Sequence, residues 1–262
     1  MRFKVDFKLV GQAPFVLPAN YHVEFSSWIY KMLHFQSGKF TQWLKNKSYM
    51  NENGEFRLFT FSDILFEEYK TQQDKLLIQN DRASMILSFY ADPEIEPFVY
   101  PVFENQEFKI GDKSGKVLFK VDRLETVNID LKNKSKHSFH CLSPMLISGS
   151  GNNDGSYISP EQKDFDKHFF KSLMFKYANL VKFMGSGASN NLANLSDLQF
   201  QLKSKPKSKI VKIKTDTPHQ KSVKGYVFDY EVNAPVELLK IGLNGGFGEL
   251  NHLGFGCAEL IV

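Results

Sequence analysis

Cysteine is nearly absent from this chain: there are two, Cys141 and Cys257, far apart and each in a run that reads as a strand. No pair or cluster carries metal-ligand spacing, which excludes a disulfide framework and a cysteine-based zinc site. Long hydrophobic runs are missing too. No apolar stretch approaches the ~18 to 20 residues a membrane helix needs, and the first ten residues alternate instead of forming a signal-peptide core. The expectation is a soluble chain in a reducing cytoplasm, away from membranes. Nor is charge of one sign in excess. Lys and Arg number 33 against 29 Asp and Glu, a net of +4, so the overall balance argues only weakly for a nucleic-acid partner.

What is present is enough for a packed fold. Apolar residues make up 42% and charged residues 24% of the 262, a composition that argues against wholesale disorder and leaves room for two domains. Phenylalanine is abundant, at 25. Most of these rings are expected in the core, where aromatics supply area, with a few left to stack on bases.

Periodicity suggests the order of elements. Phe3, Val5, Phe7 and Leu9 alternate with polar residues, as in a half-buried strand. Phe25, Trp28, Ile29, Met32 and Leu33 recur at helical spacing over 25–35, and a second short helix is expected over 40–46. Strands follow at 56–61, 76–79 and 84–89, a helix at 92–103 and a strand at 116–127. The order is that of a split βαβ, the ferredoxin-like arrangement. The second half repeats it: a strand at 137–147, a helix at 161–183, strands at 198–214 and 224–232, a short helix at 235–241 and a last strand at 255–262. The fold class expected is therefore α+β, with two tandem ferredoxin-like (RRM-like, βαββαβ) domains, 1–130 and 131–262.

The segment from Gly242 to Gly256 holds six glycines in fifteen residues. Such a loop can present successive N–H groups to an anion, or its glycines can serve close packing. It is no Walker loop, because no Gly-Lys-Ser/Thr ends it. It is no dinucleotide fingerprint either, because a helix precedes it and a strand follows. Its pattern, Gly245-Gly246-Phe247-Gly248-Glu249-x-Asn251-x-Leu253-Gly254-Phe255-Gly256, resembles the C-terminal signature of the CRISPR-associated repeat-processing endoribonucleases, within the wider repeat-associated group of RNA-binding proteins. The likeness extends along the chain through Leu17-Pro18-x-Asn20-Tyr21, Ser26-Ser27-x-Ile29-Tyr30, Phe40-x-x-Trp43-Leu44-Lys45, Arg57-Leu58-Phe59-Thr60-Phe61-Ser62 and Ser143-Pro144.

That resemblance implies two ferredoxin-like domains that bind a CRISPR repeat, and cleavage without metal or cofactor. The 2′-hydroxyl beside the scissile phosphate would attack, leaving 2′,3′-cyclic phosphate and 5′-hydroxyl ends, and the product would guide an interference complex. Residue by residue, it places the catalytic tyrosine at Tyr30 and a phosphate-binding cation at Arg57, which can hold charge but cannot exchange a proton. The family's usual histidine position is occupied by Lys45. An unperturbed lysine titrates near ~10.4, so it is a poor base at neutral pH. His34, four residues after Tyr30 on the same helix face, is the candidate replacement. His22, in the loop before the helix, is a weaker one.

RNA contact is expected from two features of the second half. One is the glycine turn, with Gly245, Gly246, Phe247, Gly248, His252, Gly254, Phe255 and Gly256. The other is a lysine ladder. Eight lysines against one acid, Asp216, lie between Lys203 and Lys224. Lys203, Lys205, Lys207 and Lys209 alternate with smaller residues, and then Lys212 and Lys214 do the same. On a strand each run would line one side at roughly 6.6 Å spacing, suited to following phosphates. Three readings stay open: the nuclease, a catalytically weak relative that binds repeat RNA, and an RNA-binding structural subunit of an interference complex. Whether the chain forms a homodimer is open as well.

Overall fold

In the computed structural model, residues 1–35, 49–51, 54–56, 58–91, 96–112, 115–132, 135–149, 157–184, 197–213 and 220–261 are described. The helix expected over 40–46, with Lys45, lies outside them, as do Arg57 and Lys214.

The alternating start of the chain forms β1 (Arg2–Val10), with Phe3, Val5, Phe7 and Leu9 all at most 1% exposed. Side chains along a strand point alternately to opposite faces, so this pattern fixes which face meets the core. Helix α1 (His22–Phe35) covers that face and buries the five apolar residues that set its period. Phe7 meets Phe25 and Phe119 edge to face, at 5.9 and 5.8 Å. Then come β2 (Phe59–Phe61), β3 (Arg82–Phe89), helix α2 (Glu96–Phe103), β4 (Glu107–Asp112) and β5 (Gly115–Thr126). The sheet order is β4-β5-β1-β3-β2, with Leu65–Phe66 also paired to β3. Without β4, which is a hairpin addition to β5, the four strands of the βαββαβ unit lie in the order fourth, first, third, second. The strand β4 was not expected from the sequence.

The second half has the same topology. Its elements are β6 (Lys136–Cys141), α3 (Phe165–Met184), β7 (Gln199–Leu202), β8 (Lys207–Ile213), β9 (Lys221–Val227), β10 (Asp229–Asn233), α4 (Val236–Gly245), a 3₁₀ turn (Asn251–Leu253) and β11 (Ala258–Leu260). The sheet runs β7-β10-β6-β11, again fourth beside first, and third beside second. Strands β8 and β9 pair with each other, as a hairpin inserted between β7 and β10, and Tyr226 of β9 also bridges to Met145. The fold is thus the tandem ferredoxin-like α+β arrangement.

Three expected strands are interrupted, each for a visible reason. The run expected over 137–147 leaves the sheet after Cys141: the amides of Leu142 and Ser143 turn to the Cys257 carbonyl, and that of Met145 to Tyr226. The run expected over 198–214 breaks into β7 and β8 around Pro206, which has no N–H for a ladder. The run over 224–232 divides at Phe228, whose carbonyl is taken by the Cys141 amide.

Two large aromatic cores fill the halves, and two smaller clusters join them. Leu146, Val211, Ile213, Val223 and Phe255 form one of these. Leu58 from the first half, with Leu180 and Ile241 from the second, forms the other. On α3, Phe165, Phe169 and Leu173 are buried, whereas Phe175 is 49% exposed.

Candidate functional site

The glycine segment is built into the junction between the two halves. Its first glycines belong to α4 and not to a loop. A Cβ on Gly242 would lie 2.2 Å from the Phe247 ring, and one on Gly245 would lie 2.9 Å from Leu58 of the first half. The chain then reverses through Gly246 at φ +89°, a conformation open to glycine. Leu250 and Gly254 flank the 3₁₀ turn in left-handed conformations. At Gly254 a Cβ would approach Phe61 to 2.4 Å. Helix α1 and strand β2 touch the turn directly: Ser26 Oγ donates to the His252 carbonyl at 2.7 Å, and Thr60 Oγ1 to that of Phe255 at 2.9 Å.

This geometry corrects the expectation that the amides of the turn cradle a ribose-phosphate chain. Gly245, Gly246, Phe247, Gly248, Gly254, Phe255 and Gly256 are all buried. The amides of Phe247, Glu249, Leu253, Gly254 and Gly256 donate to carbonyls of Gly256, Leu146, Leu250, Asn251 and Pro144. Phe247 is a core ring, stacked on Phe169 at 5.7 Å, and Phe255 belongs to the joining cluster. Close packing, the other use of glycine, decides the segment.

Two residues to which the sequence reading gave no role hold the turn in shape. Lys176, on α3, is 2% exposed and donates to the Gly246 carbonyl and to Asn251 Oδ1. The Asn251 amide in turn donates to the carbonyls of Phe247 and Phe255, both at 2.9 Å. Burial pushes the Lys176 amine down to about 7, against the pull of Glu249. A neutral amine still has two N–H bonds for its two acceptors, so the loss of charge does not break the lock.

Beside the turn lies the residue pair of most chemical interest. Tyr30 is half-buried, packs edge-on against Phe59 at 5.2 Å and faces the half-buried His252 at 6.3 Å between ring centres. The side chain that the family resemblance marks as catalytic and the histidine expected to touch RNA thus come together across the two halves. His34 lies on α1, and its side chain is outside the described residues.

The weaker candidate, His22, is fully buried. Its ring stacks on Tyr21, and its Nε2 lies 2.9 Å from Asp63 Oδ1. Lys209 reaches Asp63 Oδ2 at 2.6 Å. Burial raises the Asp63 carboxyl, but the hydrogen bonds and charges of His22 and Lys209 outweigh it and hold the group below its ordinary range. Lys209 is therefore a tether between the hairpin and the first half, its ammonium paired with a carboxylate.

The rest of the ladder divides as pairing dictates. Val211 opposes Val223 on the inward face of the β8–β9 hairpin, and Lys209 opposes the buried Gly225 there. Ser208, Ile210 and Lys212 oppose Tyr226, Lys224 and Ser222 on the outward face, where the Lys224 ammonium sits 5.6 Å over the Tyr226 ring. Lys205, Lys207 and Lys212 are exposed. Lys203 pairs with Glu231 at 3.3 Å. Burial pushes the thiols of Cys141 and Cys257 up to about 12 and 11, so neither serves as a nucleophile. Among the described residues, no group of three or more His, Cys, Asp or Glu could hold a metal ion. No helix among them is long and apolar enough to cross a membrane.

Comparison with known proteins supplies the family. The family described as CRISPR associated protein Cas6, C-terminal, matches residues 125–260, more than half of the chain. The chain belongs to the Cas6 family. Among curated relatives, a Pyrococcus horikoshii protein named as CRISPR-associated endoribonuclease-like protein Cas6nc is 24% identical over 266 residues, covering all of both chains. A Pyrococcus furiosus counterpart, named Cas6, is also 24% identical, over 268 residues covering 100% of this chain and 99% of its own. The solved structure of a Cas6-related protein from Pyrococcus furiosus superposes with a TM-score of 0.76 at 23% identity, covering 100% of this chain and 98% of its own. Another, described as an RAMP protein binding different RNA substrates, superposes at 0.75 with 22% identity and full coverage of both.

In this Cas6 chain the sequence signature and the packing therefore refer to one place. Gly245 and Gly254 sit directly on Leu58 and Phe61, within the Arg57–Ser62 run that also carried the family likeness. The Ser143-Pro144 pair serves the same junction. Ser143 Oγ accepts the Cys257 amide at 3.0 Å, and the Pro144 carbonyl accepts that of Gly256.

Proposed function

We propose that this Cas6-family chain binds CRISPR repeat RNA and cleaves precursor transcripts without metal. The 2′-hydroxyl next to the scissile phosphate attacks it, leaving a 2′,3′-cyclic phosphate and a 5′-hydroxyl. The product serves as guide RNA for an interference complex. The observation that carries the reading is the placement of Tyr30, half-buried beside the glycine turn and next to His252, where two halves of a bilobal RNA-binding fold meet. Proton transfer by positioned side chains supplies such a reaction with ~10²- to 10⁴-fold of rate, and a cation near the phosphate adds electrostatic stabilisation. Tyr30 and His34 are the candidates for the first role, and Lys45 and Arg57 for the second. Lys203, Lys205, Lys207, Lys212 and Lys214 would follow the backbone, giving affinity and salt dependence more than sequence choice. We take the two lobes as residues 1–130 and 131–262.

One observation favours a second reading, a relative that binds the repeat without efficient cutting: Lys45 stands where the family pattern usually has histidine. An assay with labelled repeat RNA in EDTA separates the two. Cleavage in EDTA that vanishes when the scissile nucleotide is 2′-deoxy supports the nuclease. Tight binding with no cleavage in either case supports the second reading and overturns the first.

A further inference from the structure

We infer that His252, from the glycine turn, accepts the 2′-hydroxyl proton in the cleavage reaction, opposite Tyr30 as the proton donor to the leaving oxygen. The inference rests on the nuclease reading. It moves the imidazole's role from His34, on α1, to the second half of the chain.

Three features of the structure lead there. The Tyr30 and His252 rings lie 6.3 Å apart with their planes tilted by 49°. Catalytic hydrogen bonds span ~2.6 to 3.2 Å, so one ribose and its 3′-phosphate can meet both rings at once. His252 is also held in place by its main chain. Its carbonyl accepts Ser26 Oγ, one helical turn before Tyr30 on α1, so a single helix face positions both groups. Its neighbour Asn251 is fixed by Lys176 and by two carbonyls of the turn. A site whose groups are locked by a supporting shell is what proton transfer requires.

Three of the other described histidines are engaged elsewhere. His22 is buried against Asp63, His140 Nδ1 faces Asp229 at the β6–β10 pair, and His137 Nε2 meets the Leu131 carbonyl.

Chemistry divides the roles. An imidazole is substantially neutral at pH 7 and can accept a proton, whereas a phenol ordinarily keeps its proton until pH ~10 and can give it. His252 takes the proton as the O2′–P bond forms. Tyr30 gives its proton to O5′ as the P–O5′ bond breaks. The electron pair of that bond leaves with O5′, and the imidazolium returns its proton to the phenolate through solvent, so no other reactant is consumed.

The test uses the full chain and a 5′-labelled RNA copy of a CRISPR repeat, under single turnover in EDTA. His252→Ala is expected to cut at least ~100-fold more slowly, with RNA affinity changed less than threefold and with partial recovery on addition of imidazole. A second substrate carries sulfur at the bridging 5′ position, a leaving group that needs no proton. On it, Tyr30→Phe should regain the wild-type rate, while His252→Ala stays slow. Wild-type rate in His252→Ala overturns the inference, and so does recovery of His252→Ala on the sulfur substrate, which would make it the donor. If alanine disturbs the turn, His252→Asn carries the test, since it keeps a polar side chain there. Full rate in that variant at an unchanged melting temperature overturns the assignment equally. Absence of cleavage by the wild-type chain is a different failure, that of the nuclease reading itself.

Discussion

Replacing Gly256 by alanine tests whether packing of the glycine turn holds the two halves together. Gly256 has φ +70°, and a Cβ there would stand 1.8 Å from the Phe247 carbonyl oxygen and 2.8 Å from Asn251 Nδ2. Both atoms are fixed. The Phe247 carbonyl accepts Asn251 Nδ2 at 2.9 Å, and the Phe247 amide donates back to the Gly256 carbonyl at 2.8 Å. Relief needs a backbone movement of more than ~1 Å, which breaks this pair of bonds. The left-handed conformation costs alanine about 1 to 2 kcal/mol, and two buried groups left without partners cost about 1 to 3 kcal/mol each. The sum, roughly 3 to 8 kcal/mol, is comparable with the 5 to 15 kcal/mol that holds a typical domain folded. Near ~2 to 4 °C per kcal/mol, even the lower end lowers the melting temperature by about 6 to 12 °C. Calorimetry should be run beside Gly115→Ala, in β5, where an added Cβ meets nothing within 4 Å and the backbone is not left-handed. That control should melt within ~2 °C of wild type. A Gly256→Ala variant that does the same refutes the packing account of the turn.

Two further outcomes follow from buried and paired lysines. Lys176, at about 7 in the fold and ~10.4 when unfolded, is neutral in the folded chain but protonated in the unfolded one between these values. The stability it confers is therefore full above pH ~10.4 and is lost as pH falls toward 7. The unfolding free energy of wild type minus that of Lys176→Met should rise by on the order of 2 to 3 kcal/mol from pH 6 to pH 9 in urea titrations, and a constant or falling difference contradicts the burial argument. Lys209, neutralised by Asp63, and Lys212, exposed on the outward face, should differ in RNA binding. Lys212→Ala should lower the slope of log affinity against log salt by about 0.7 to 0.9, whereas Lys209→Ala should leave it nearly unchanged. Equal slopes would show that Asp63 does not hold Lys209 away from phosphate.

The tandem topology was legible because each half carries strong periodicity. Four alternating apolar residues in β1 and five helical ones in α1 specify a strand and a covering helix with little ambiguity. Boundaries were harder where the partner of a strand lies far along the chain. Nothing local in the run from Leu198 to Lys214 says that β7 pairs with β10 and β8 with β9, because that division is set by what lies on either side. The same limit hid the tether of Lys209. Its place in an alternating lysine run reads as a solvated stripe, and only the fold brings Asp63, far upstream in sequence, to meet it. Lys176 was invisible for a related reason. A lysine in an amphipathic helix normally lies on the wet face, and its burial depends on a turn that arrives some seventy residues later.

The glycine segment shows where a local signal was present but ambiguous. Freedom at positive φ serves an anion-binding concavity and a close packing joint equally well, so glycine count cannot separate them. The residues between the glycines can. A turn meant to offer its amides to a phosphate has no use for large apolar side chains at its centre, since these must be buried and pull the backbone in with them. Phe247 and Phe255 are such residues, and both are fully buried, one in the aromatic core of the second half and one in the cluster that joins the halves. Asn251 is the complementary sign: an amide that both donates and accepts, placed where three neighbours need it. Only Asn244, Glu249, Leu250, His252 and Leu253 keep a partly exposed surface along the turn. Any contact the segment makes with RNA falls to these side chains, and two of them can move a proton: Glu249, which accepts the amide and hydroxyl of Ser148 at 3.0 and 2.9 Å, and His252, which faces Tyr30.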